Sequence, residues 1–139
     1  IKKQLPEESR KIDEAVKSNG ITGLDAERMV IDITHDDVGL WLAETWNLPG
    51  IIKDIIAYHH KPGMCSGHAR ETSIVHLSNI IVQGIGISYN GDPFVSPLDE
   101  AGWNILSLSE SDLVDIIVEV MDIIQADKTF SVYISGGIR

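Results

Sequence analysis

Apolar positions recur at helical spacing along most of this chain. In the stretch from Pro6 to Val16 (PEESRKIDEAV), a proline and acids open a predicted helix that stops near Asn19-Gly20. A second helix is predicted from Leu24 to about Ile33, with Leu24, Met29, Val30 and Ile33 as core contacts. Thr34 can cap a third helix, and Asp36 and Asp37 in its first turn are favoured by the helix dipole. His35, Val38, Gly39, Leu42 and Trp46 lie along one stripe of it. Pro49 opens a fourth helix, with Ile52, Ile55, Ile56 and His59 in register. Lys61 to Gly67 reads as a loop from its Pro, Ser and Gly content. Ala69 to about Gln83 is apolar almost all round and predicts a buried central helix, ended by Gly84 and Gly86. Tyr89 to Pro97 is turn-rich, with Asn90-Gly91 its strongest turn signal. Asp99 starts a short helix holding Trp103 and Leu106. Ser109 to Asp112 is a capping-box-like start to a last helix carrying Leu113, Ile116, Ile117, Val120 and Ile124. The tail Phe130 to Ile134 (FSVYI) has strand composition without an evident pairing partner. The pattern predicts an all-α bundle of about six to seven helices over residues 1–126, and a tail or linker over 127–139.

Bulk composition narrows the function. With 139 residues, 43% hydrophobic and 23% charged, the chain fits one soluble core. Its formal net charge of -10, from 21 acidic and 11 basic residues, argues against nucleic acid and anionic membrane surfaces. No apolar run approaches the roughly 20 residues of a membrane span. The single cysteine, Cys65, allows no intrachain disulfide, which suits a reducing cytoplasm. The chain begins at Ile1, as a fragment or processed chain would. The three tryptophans, Trp41, Trp46 and Trp103, read as core packing.

The chemistry concentrates in Thr34 to His60. Histidine is the commonest metal ligand and the usual proton carrier near neutral pH. His35 starts one predicted helix, and His59 and His60 end the next. If these helices pack antiparallel, the three imidazoles converge and could hold a divalent metal. The alternative is that they are buried histidines bonded to backbone or carboxylate. Asp32, Asp36 and Asp37 read as residues that cap and solvate helix ends, and Asp54 as water-facing. Gly39 costs its helix about 1 kcal/mol against alanine, which suits a place where another group must come close. His76 and Asn79 share a face of the central helix, where a metal site would place an acid. Asn79 is a poor metal ligand and reads better as a hydrogen-bonding residue. No nucleophile, base and orienting group fall together.

Three runs carry a family resemblance: HDDVGLWLAETWNLPGIIKDIIAYHHKP, SIVHLSNIIVQGIGI and GDPFVSPLDEAGWNILSLSESDL. Together they resemble the HDOD family, the HD-related output domain of bacterial signalling proteins, over roughly Leu5 to Ile124. The resemblance implies an HD-domain-like helical bundle, distantly related to the HD and HD-GYP metal phosphohydrolases. By motif, His35 matches a metal-ligating histidine of those enzymes, His59 and His60 match their His-His pair, and Asn79 falls where they have an aspartate. Their His-Asp dyad would precede Ile1, and the Gly-Tyr-Pro signature is missing. The implied role is a non-catalytic output module contacting other signalling proteins or domains, with a homo-oligomer left open. No catalytic residue and no cofactor are expected; Fe, Mn or Zn would enter only if the histidine cluster is occupied. A metal-dependent phosphohydrolase acting on a nucleotide or cyclic dinucleotide is the alternative.

Overall fold

Local chemistry sets where each helix begins and stops. The computed structural model describes residues 5–87 and 94–127. Its helices are α1 (Pro6–Asn19), α2 (Gly23–Ile31), α3 (His35–Thr45), α4 (Gly50–Tyr58), α5 (Ala69–Gly84), α6 (Glu100–Leu106) and α7 (Glu110–Ala126), with a short 3-10 turn at Pro62–Met64. The protein is all-α, and no strand occurs among the described residues. The Phe130–Ile134 tail lies outside those residues, as does the Asn90-Gly91 turn.

The helix ends follow ordinary capping rules. Gly20 takes the left-handed conformation (φ 65°) and returns its N–H to Val16 O, stopping α1. Asp32 does the same for α2 at φ 56°, two residues before the Thr34 cap of α3. That early stop leaves Ile33 outside the helix and exposed, against its expected core role. Met29 is exposed as well; α2 buries Ala26 instead, with Val30 and Ile31 packed alongside. Thr34 and Asp37 close a reciprocal capping box: Asp37 N–H donates to Thr34 Oγ1 at 3.3 Å, and Thr34 N–H donates to Asp37 Oδ2 at 2.9 Å. Ser109 and Asp112 form a second box at α7.

The chain divides into two compact units, the division falling between Leu106 and Ser107. In the first unit α1 packs on α2 around Ile12, Ala15, Val16 and Ala26, and Phe94 joins that cluster. A further layer packs α3 on α4, α4 on α5, and α5 on α6, with the 3-10 turn against α4, α5 and α6. Gly39 makes the α3–α4 approach possible, since a Cβ there would lie 2.7 Å from Ile56 Cγ2. The inward stripe of α3 is Asp36 and Ala43. Trp41 lies on the opposite side of α3 and Trp46 ends it, 64% and 66% exposed, so neither packs in the core as expected.

The central helix α5 also departs from expectation. It buries Thr72, Ser73, His76, Leu77 and Ile81, while Ile74 and Val75 face solvent. Burial of the two hydroxyls is tolerated because each donates back to the carbonyl four residues earlier, Thr72 to His68 and Ser73 to Ala69, both at 2.7 Å. Small residues there admit α6: a Cβ on Gly102 would lie 2.4 Å from Pro62 Cγ and 3.3 Å from Ser73 Oγ. The second unit holds α7, whose half-buried residues are Leu113, Ile116, Ile117, Val120 and Ile124, the predicted stripe.

Candidate metal centre

The start of α3 and the end of α4 meet at four side chains. His35, Asp36, His59 and His60 each offer one ligand atom, all within 4.8 Å of one another. His35 Nε2 lies 3.0 Å from Asp36 Oδ1 and 3.1 Å from His60 Nε2. His59 Nε2 and His60 Nε2 lie 3.7 and 3.9 Å from the same oxygen. Asp36 Oδ1 is fully buried, yet none of these approaches gives it a hydrogen bond. An unpartnered buried carboxylate oxygen is costly unless something positive meets it. The expectation that Asp36 caps or solvates the helix end is therefore corrected; the capping is done by Asp37, its neighbour. Asp36 and Ala43 sit a heptad apart on the buried stripe of α3, which is offset from the stripe of His35, Val38, Gly39, Leu42 and Trp46 expected from the sequence.

Supporting bonds fix the rings. Glu27 Oε2, on α2, sits 2.8 Å from both the backbone N and the Nδ1 of His35. His59 Nδ1 faces Ile56 O at 3.0 Å; a carbonyl can only accept, so this nitrogen donates and Nε2 is left with a lone pair toward the cluster. Such carboxylate and carbonyl partners orient ligating histidines and raise their basicity. Nothing in the sequence announces Glu27, which acts across a helix break from His35. Among protein groups alone, the carboxylates of Asp36 and then Glu27 raise the His35 pKa to about 10. Burial and then the charge of His59 lower that of His60 to about 4. With its pKa at about 10, His35 is protonated at neutral pH and is the positive group beside Asp36 Oδ1, a place an incoming cation would take over.

His76 does not reach the cluster with a ring nitrogen. It is 2% exposed, its Nδ1 donates to His59 O at 2.7 Å, and its Nε2 accepts from Asp99 N at 3.0 Å. Asn79 lies one turn further along α5, half-buried. Asp54 is not simply water-facing: it accepts from the backbone N of His68 and lies 2.7 Å from its Nδ1. Asp99 Oδ1 accepts from Gly102 N at 2.7 Å and Gly63 N at 3.3 Å. Both acids thus stay tied to loop and helix ends.

Residues 1–62 match a family model described as the HDOD domain, a span containing Glu27 and all four cluster residues. This segment, a little under half of the chain, is similar to the HDOD domain. No curated protein and no solved structure matches it. The HDOD match stops short of His76 and Asn79. No helix among the described residues is long and apolar enough to cross a membrane.

The cluster fits a divalent transition ion on its own chemistry. Tetrahedral coordination with bonds of about 2.0 Å sets ligand atoms about 3.3 Å apart. Four of the six separations among the donor atoms are 3.0, 3.1, 3.7 and 3.9 Å, straddling that value, and all six lie within 4.8 Å. Three imidazoles and a carboxylate suit zinc or iron better than magnesium or calcium.

Proposed function

We propose that this chain is a non-catalytic bacterial signal-transduction module, cytoplasmic, that works through contacts with other proteins and whose four-donor cluster binds one divalent transition ion. His35, Asp36, His59 and His60 would hold the ion, which would cross-link the start of α3 to the end of α4. The observation that carries the non-catalytic reading is the donor count. Structural zinc sites use four protein ligands, whereas catalytic ones keep a position for water. Four donors within 4.8 Å fill a tetrahedral shell. The signalling role draws its support from the HDOD match over residues 1–62. The phosphohydrolase alternative gains the Asp36 carboxylate, but Asp54 and Asp99, the acids placed above, are tied to backbone N–H groups and not to the cluster.

Elemental analysis of the purified chain tests this reading, together with an assay on bis(p-nitrophenyl) phosphate. About one equivalent of zinc, iron or manganese is expected, lost in His59→Ala and Asp36→Ala, with no hydrolysis. Metal-dependent hydrolysis that disappears in His59→Ala would overturn the non-catalytic reading. Failure of the intact chain to take up added zinc or cobalt would overturn the metal reading.

A further inference from the structure

We infer that His76 is the positioning residue of the cluster: through its Nδ1–H it locks the backbone of His59, so that the His59 ring is aimed before any ion arrives. The inference rests on the metal reading above and extends it to a residue beyond the matched family segment.

Every group of His59 except Nε2 is already committed. Its N–H donates to Ile55 O at 3.0 Å, its Nδ1 donates to Ile56 O at 3.0 Å, and its carbonyl accepts from His76 at 2.7 Å. The first two bonds belong to α4 itself, at its last turn, where helices fray. Only the third comes from another helix. His76 is held from its far side by Asp99 N–H, and Asp99 grips Gly63 and Gly102 with its carboxylate. That grip is tight, because a Cβ on Gly63 would lie 2.6 Å from Ala101 Cβ, and one on Gly102 would lie 2.4 Å from Pro62 Cγ. The path from the cluster to α6 therefore runs through backbone groups that have little room to shift. Loss of a partner bonded to a ligating side chain typically weakens metal affinity by about 10- to 100-fold, and the His76 bond acts one step further back, on the backbone that carries the ring.

The two ring nitrogens of His76 can be separated by substitution. Asparagine places its amide N–H near the position of Nδ1 and can still reach His59 O. Glutamine places its polar end near Nε2 and serves Asp99 instead. Cobalt(II) titration of the full chain, followed by its visible absorption bands, should show His76→Gln weakened about 10-fold or more. His76→Asn should stay within about threefold of the parent. A merely space-filling role predicts the reverse order, because asparagine is the smaller residue and leaves the larger cavity. Equal affinities in all three proteins, or asparagine weaker than glutamine, would overturn the inference. A metal-free measurement keeps it testable if the chain binds no cobalt. Ring-nitrogen NMR should report a single Nδ1–H tautomer for His59 in the parent and His76→Asn, and a mixture in His76→Gln. A single tautomer in all three would sink the inference whatever the metal result. Absence of cobalt binding by the parent alone would sink only the metal reading.

Discussion

His35 stands between two carboxylates, and its proton and a metal ion compete for the same place. Its pKa of about 10 lies above the ordinary histidine value of about 6.5. The stability it contributes is therefore complete below pH 6.5 and is lost as pH rises from there through 10. His60 has the opposite sign, because its pKa is lowered to about 4; stability is lost as pH falls from 6.5 toward 4. In chelator the denaturation midpoint should thus peak near pH 6.5. His35→Gln should flatten the alkaline limb and leave most of the acidic one. An alkaline limb unchanged in that variant would refute the assignment. With its side chain 43% exposed, the His35 effect is reduced by solvent screening. Metal binding should respond in the other direction. An ion must displace the His35 proton, so cobalt affinity should rise by about tenfold per pH unit between pH 6.5 and 8.

At the level of elements, two glycines on helices should answer oppositely to alanine. At Gly39 the helix would gain about 1 kcal/mol in propensity. The new methyl would meet Ile56 at 2.7 Å, and overpacking costs about 1–3 kcal/mol. The expected net is a loss of about 1 kcal/mol by urea denaturation, with weaker cobalt binding as α3 is pushed from α4. At Gly84 nothing lies within 4 Å, so alanine should stabilise by about 0.5 kcal/mol. The Gly39 effect was legible in the sequence as a helix cost that a close approach would explain. Helix starts at Thr34 and Ser109 were legible too, because a cap is a contact between residues three apart, and the start at Pro6 because proline suits the first helical position. The outward turn of Trp41 and Trp46 was not. Apolar side chains give a face only relative to a packing partner, and α4 meets the Asp36 and Ala43 side of α3.

For the whole molecule, the cluster is legible only in part. The three histidines announce themselves by type and spacing, while Asp36 resembles any acid in a first turn and Glu27 gives no signal. Long-range placement decides both. The family segment 1–62 contains every proposed ligand but lacks His76, α5 and Phe94. Expressed alone, it should bind cobalt at least about 10-fold more weakly than the full chain, since outer partners set ligand geometry. Equal binding would show that α4 aims His59 unaided. Phe94 has a consequence for how the chain is made. It reaches Gly20, where its ring tip lies 3.8 Å from the position a Cβ would take, and it packs on the α1–α2 core. More than seventy residues separate the two positions. At about 5–20 residues per second, a ribosome delivers that partner roughly 4–15 s after the first helix. The α1–α2 hairpin therefore spends its first seconds with an uncovered apolar edge, and that interval is when a chaperone has most to hold.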